Sequence, residues 1–243
     1  MPGQITARFL VDHPVRPGMV RAILDTLTAQ GGAYEPQLVR RSSSADLRRI
    51  TWSRPAGLLD EVTQSGARTT FLRVAEGHPQ PVLSFNISAT PRSRPSLVTL
   101  TVPEEALAGS QEIERILGVC KGLYLFLESP WGTMGMGPDP AQAWIRWANF
   151  FGPQVVTHVG PARLLTSLAF IVEILPDGGI MLVTHPTPAQ AETAEGLALR
   201  AHLEETTGLG DTLQSYDRSS PRTGLTESTL PVRVRRKRSG EPP

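Results

Sequence analysis

The sequence predicts an α+β fold: an antiparallel sheet or sheets with helices packed on one face, and a disordered C-terminal tail. Three observations lead to that class. Apolar and polar residues alternate through three closely spaced runs between 68 and 102, the pattern of an antiparallel meander with one face covered. Apolar residues recur at helical spacing between 17 and 30 and again between 110 and 127. Beyond 211 the chain is polar, Pro- and Ser-rich and without a period.

The elements follow in order. In "ITARFLVDH", Ile5, Ala7, Phe9 and Val11 alternate with Thr6, Arg8, Leu10 and Asp12, as in a half-buried strand. Pro17 then suits a first helical turn; Val20, Ile23, Leu24 and Leu27 share one helical face, and Gly31-Gly32 supplies a stop. "YEPQLVRR" reads as a weak strand and "PAGLLDEVTQSG" as a short helix. The meander comprises 68–76, 81–88 and 96–102. In "SQEIERILGVCKGLYLFLES", Ser110 is positioned to cap, Glu112 and Glu114 complement the helix dipole, and the helix is apolar on nearly every side from Ile116 onward, which predicts burial.

"SPWGTMGMGPDP" (129–140), dense in Gly and Pro, reads as a connector. A helix over about 140–151 is expected next, with Trp144, Trp147 and Phe151 on one face. Two short helical pieces follow, each opened by a Gly-Pro pair (152–153 and 160–161). "LAFIVEILPDGGIMLVTH" predicts a hairpin turning at Asp177-Gly178-Gly179, with both arms covered on both faces. A last helix carries a small-residue stripe of Ala191, Ala194, Leu197, Ala198 and Ala201 and ends near Gly208. The expected organisation is an α+β region over 1–130 and a helical segment plus hairpin and helix over 138–208 sharing one core with it. A disordered basic tail over 211–243 completes the chain.

Composition narrows the function. The formal charge of +1 gives the chain no overall electrostatic preference for nucleic acid or an anionic membrane. The tail is basic, with seven Arg and Lys against four Asp and Glu. A single cysteine, Cys120, excludes an internal disulfide and a Cys-based zinc site, and inside an apolar helix it reads as a small buried thiol rather than a nucleophile. The N-terminus lacks the apolar stretch of a signal peptide, and no apolar run is long enough for a membrane helix, so a cytoplasmic location is expected. Twenty-two Arg against two Lys suggests GC-rich, bacterial coding.

The chain's few aromatics concentrate at Trp131, Trp144, Trp147, Phe150 and Phe151. Such a cluster is first a core seam, second a protein interface and third a small-molecule pocket. "GTMGMG" (132–137) has the glycine density of a phosphate loop without its spacing or its Lys-Ser/Thr. His13, His78, His158, His185 and His202 show no metal-ligand spacing; His158 and His185 are the two that could converge. Glu104-Glu105 and Glu204-Glu205 look solvated, and no Ser lies in a nucleophile elbow. No catalytic residue, metal ligand or cofactor is expected. The interface or pocket candidates are Trp131, Trp144, Trp147, Phe151, His158 and His185.

The order of pieces in 144–188 is a Trp/Asn/aromatic-Gly-Pro element, a short helix ending Val159-Gly160, a leucine-rich bridge, an apolar strand, Asp-Gly-Gly and a second strand. It resembles uncharacterised bacterial proteins grouped with polymorphic-toxin and type VI secretion immunity proteins. The resemblance implies an α+β protein that binds a cognate toxin, with no catalytic residue to carry over. The leading expectation is therefore a non-catalytic protein acting by protein–protein binding, of immunity type. The alternative is a small-molecule enzyme or ligand-binding domain with a pocket between the two halves. Nucleic acid could engage only Arg233, Arg235, Arg236, Lys237 and Arg238.

Overall fold

A computed structural model describes residues 3–31, 34–41, 46–51, 56–75, 78–91, 95–107, 109–137 and 145–209. Trp144 and the tail, with its basic run 233–238, lie outside the described residues.

In chain order the elements are β1 (Gln4–Val11), α1 (Pro17–Gln30), β2 (Leu38–Arg41), β3 (Arg48–Arg49), α2 (Ala56–Thr63), β4 (Arg68–Ala75), β5 (His78–Asn86) and β6 (Ser96–Pro103). After a 3-10 turn at Glu104–Leu107 come α3 (Ser110–Phe126), β7 (Trp131–Met136), β8 (Ala148–Phe151), α4 (Pro153–Val159) and α5 (Pro161–Leu165). β9 (Ile171–Ile174), β10 (Ile180–Val183), α6 (Pro188–Ala191) and α7 (Ala194–Thr207) complete the fold. The strands form one ten-stranded sheet in the order β3-β2-β4-β5-β6-β1-β7-β8-β10-β9. Every described pairing is antiparallel. The α+β class with an antiparallel sheet is thus as the sequence predicts.

The first strand is central: β1 pairs with β6 on one side and β7 on the other. Its alternation then fixes the layers. Ile5, Ala7, Phe9 and Val11 join a core with Val20, Ile23, Leu24 and Leu27 of α1 and with Ile116, Cys120, Leu123 and Tyr124 of α3. Phe150 of β8 ties this core together, its ring 5.6 Å from Phe9 and stacked 5.8 Å from Tyr124. The helices α1, α2 and α3 thus line one face. On the other face a second core of Leu10, Trp131, Phe151, Val155, Val156, Val159, Leu164, Ile180, Leu182 and Leu203 lies under α4, α5 and α7. It occupies the β1 and β7–β10 end of the sheet, with Leu97 of β6 at its margin.

Several local expectations are corrected. Residues 148–151 are strand, not helix. The spacing of Trp147 and Phe151 fits a helical face, yet β8 is held by partners on both sides, β7 and β10, which no local window contains. Phe150 and Phe151 thus alternate into the two different cores, and Trp147, one residue before the strand, joins the first core with Phe150. The expected connector is likewise β7, a central strand. Its glycines mark close approach rather than looseness: a Cβ at 132 would lie 2.5 Å from the Phe9 ring, and one at 135 would lie 2.6 Å from Arg146 Nε.

The hairpin turn holds, with Gly178 at φ 85° and the Gly179 N–H donating to Asp177 Oδ1 at 2.9 Å. Only its β10 arm is sealed; β9 forms the sheet edge, and Ile174 is exposed. The last helix is divided because Thr193 starts a new cap, accepting from the Gly196 N–H at 3.1 Å. Its expected stripe faces solvent at Ala194, Leu197, Ala198 and Ala201, while Gly196, Arg200, Leu203 and Thr207 face inward. Gly109, not Ser110, is the N-cap of α3.

Candidate functional site

The aromatic candidates are spread across both layers. Trp147 is fully buried, and its indole Nε1 donates to the His185 carbonyl at 2.8 Å. The Thr184 N–H donates back to the Trp147 carbonyl at 2.8 Å, so the indole clamps the chain leaving β10. Phe151 is buried beneath α4, and Trp131, 8% exposed, sits where that cover ends. His158, in the last turn of α4, is exposed; His185 is half-buried. Burial, and secondarily the Arg200 guanidinium, holds the His185 imidazole below its usual pKa. Its Nδ1 lies 3.0 Å from Thr184 Oγ1.

Polar groups that the sequence reading set aside hold this corner together. Arg146 is 2% exposed and donates from Nη2 to the Met136 carbonyl. Asn149 receives the Arg146 N–H on Oδ1 at 2.8 Å and donates from Nδ2 to the Arg146 carbonyl at 2.9 Å. Glu204 accepts the Ile145 N–H at 2.9 Å, so this carboxylate is a structural acceptor rather than a solvated one. Arg200, also buried, pairs with Glu192 at 2.9 Å. The Arg200 charge is met by the Glu192 carboxylate and the Arg146 guanidinium by the Met136 carbonyl, which offsets part of their desolvation.

Other reactive side chains are also engaged. Cys120 is buried, with its Sγ 3.6 Å from Met134 Sδ, and burial pushes its thiol pKa well up. That disfavours the thiolate a nucleophile needs. Tyr124 donates to Asp177 Oδ2 at 2.7 Å, which draws Asp177 into the hairpin turn. Among the described residues no three His, Cys, Asp or Glu side chains come together to hold a metal ion. Two hollows occur at the β2–β4 end, one of about 230 Å³ lined by Arg41 and residues 64–69. The other, about 670 Å³, is lined by residues 35–38, Arg49, Ile50 and Val74. None of the aromatic or histidine candidates lines either one.

The most distinctive surface was not singled out by the sequence reading. On the face opposite α1 and α3, the register aligns Arg40 with Thr70, Thr70 with Ser84, Ser84 with Thr99, Thr99 with Arg8 and Arg8 with Thr133. At about 4.8 Å per strand, Arg40 and Arg8 stand roughly 19 Å apart across four strand spacings. A parallel row begins with Arg68 opposite Asn86 and runs into apolar Leu97, Leu10 and Trp131 at the margin of the α4 layer. Arg40, Arg68 and Asn86 are exposed, and Arg8, Thr70, Ser84 and Thr99 half-exposed. The ten strands carry Arg8, Arg40, Arg41, Arg48, Arg49, Arg68 and Arg73 against one carboxylate, Glu173. Arg41 and Arg48 turn to the other side, toward Glu61 of α2 at 3.5 and 2.7 Å. The open face carries the exposed guanidinium groups of Arg40 and Arg68 and the half-exposed Arg8 beside a row of hydroxyls, in which Ser84 Oγ donates to Thr70 Oγ1 at 3.3 Å. Such a surface is suited to carboxylate or phosphate oxygens. The signal was present in the odd–even alternation of the strands, but only the strand order assembles it.

No protein-family model matches the chain, and no curated protein matches it. Among solved structures, the Pseudomonas aeruginosa T6SS (type VI secretion system) protein PA0821 superposes with a TM-score of 0.60 at 12% identity, covering 85% of this chain and 73% of that one. The likeness is one of fold. Among the described residues, no helix is long and apolar enough to cross a membrane.

Proposed function

We propose that this chain acts by binding a protein partner across the open sheet face, in the manner of a bacterial toxin-immunity protein. The observation that carries the reading is the row Arg40–Thr70–Ser84–Thr99–Arg8, donor-rich and without a carboxylate on its strands. The shared fold with a T6SS protein supports it. The partner surface would be acidic, because planar guanidinium groups on a rigid sheet recognise carboxylates bidentately. A protein fits better than single-stranded nucleic acid. The row itself offers no aromatic ring, and stacking on rings is what usually gives such strands their affinity. The wide, flat shape also suits a protein surface better than a small molecule, which seeks a concavity.

The test is co-expression with candidate toxins encoded beside the gene, scored by growth, together with calorimetric titration of the purified pair. The reading expects protection, and its loss with at least a tenfold weaker affinity in Arg8→Glu/Arg40→Glu, a variant whose circular dichroism stays native. Absence of protection and of any complex, or full protection by that variant, overturns it.

A further inference from the structure

The two edges of the sheet are built differently. One ends in β3, a two-residue strand of Arg48 and Arg49. Short, charged strands are how sheets discourage unwanted pairing. The other ends in β9, Ile-Val-Glu-Ile, with no proline, lysine or bulge within it. Around it Leu168 is 69% exposed, Ile174 63%, Phe170 57% and Leu165 44%, the largest concentration of exposed apolar side chains among the described residues. The single charge on β9, Glu173, does not guard the edge. It is drawn toward α3, where Lys121 Nζ reaches both its carboxylate oxygens at 3.0 and 3.1 Å.

The backbone at this edge is also set for pairing. Leu175 donates to the Gly179 carbonyl at 2.8 Å, and bonded pairs alternate along an antiparallel ladder. Glu173 and Ile171 therefore bond to β10, and the N–H and C=O groups of Val172 and Ile174 point away from the sheet.

We propose that β9 pairs antiparallel with β9 of a second copy of this chain about a two-fold axis through Val172, joining two ten-stranded sheets. The edge is self-complementary in that register. Val172 meets Val172 of the second copy through the outward-pointing groups of both. Ile174 of each copy faces Phe170 of the other, covering two of the exposed apolar side chains of the edge. Glu173 falls opposite Ile171, not opposite its own counterpart; a shift of two residues in one direction would place the two glutamates face to face, which like charge disfavours. A two-fold contact of this kind closes on itself, so it yields a dimer rather than a fibre. The proposal is independent of the open basic face and leaves that face free on both copies.

Sedimentation velocity and light scattering on the full chain test it. Twice the chain mass is expected at micromolar concentration. Ile174→Lys, at an exposed position that leaves the core intact, is expected to abolish the dimer, and Arg49→Glu at the opposite edge is expected to preserve it. Val172→Cys is expected to give a covalent dimer under mild oxidation, since Cys120 is buried and does not compete, whereas Ile174→Cys is not. A wild-type chain that stays monomeric overturns the proposal, whether its edge is covered by its own tail or by a foreign strand. So does a dimer that survives Ile174→Lys.

Discussion

Arg146 occupies the space that a side chain at Gly135 would fill: a Cβ there would lie 2.6 Å from Nε and 2.9 Å from Nη2. The buried guanidinium crosses β7 at this glycine on its way to the Met136 carbonyl. Gly135→Ala must therefore move a buried charged group, and a loss of about 1–3 kcal/mol is expected from such overpacking. Gly118, on the exposed side of α3, has nothing within 4 Å of its Cβ position, so Gly118→Ala should gain about 0.5–1 kcal/mol through helix propensity. Urea midpoints of the two variants, moving in opposite directions from wild type, check both statements.

Trp147 offers a second test. Trp147→Phe keeps a ring in the core but leaves the His185 carbonyl without its indole donor, a cost of about 1–3 kcal/mol. Trp147→Ala adds a cavity and should cost about 3–5 kcal/mol. If the ring instead walled a ligand site, truncation would leave the thermal midpoint nearly unchanged.

The contrast between these positions and the well-read parts of the chain is physical. Helix α1, the meander and the hairpin turn were legible because their signals are local: Val20, Ile23, Leu24 and Leu27 recur at one helical spacing, and Gly178 needs a positive φ. Strands β7 and β8 were not, because their glycines answer to Phe9 and Arg146, and their pairing to β1 and β10. The stripe on α7 was visible but its direction was not, since whether Ala198 or Arg200 faces inward depends on Glu192, at the end of α6, pairing with the Arg200 guanidinium. The polar faces of single strands could be read, as with Ser84 and Asn86. Their union with Arg8 and Arg40 required the strand order.

Tyr34 makes the opposite case to Trp147. Its hydroxyl is buried without a hydrogen-bond partner among the described residues, and burial pushes its pKa up to about 12. An unpaired buried hydroxyl costs rather than contributes. Tyr34→Phe is expected to be neutral or stabilising by up to about 1 kcal/mol, measured by the shift in thermal midpoint. A loss of stability would mean that the hydroxyl is bonded.

The pH dependence of stability should carry the mark of His185. Burial first, and Arg200 second, lower its folded-state pKa below the ordinary 6.5. The unfolded chain then binds a proton more readily than the folded one, so folding stability rises with pH across the interval between the two values. The contribution is complete above the unfolded value and is lost as pH falls through the interval toward the folded one. His185→Gln has no proton to gain there and should flatten that part of the profile. Its backbone carbonyl survives the substitution, so the Trp147 bond is not removed with it. Urea unfolding of both proteins from pH 7.5 down to about 5, a range that spans the ordinary histidine pKa, checks this. Parallel profiles over the whole range would place the proton elsewhere.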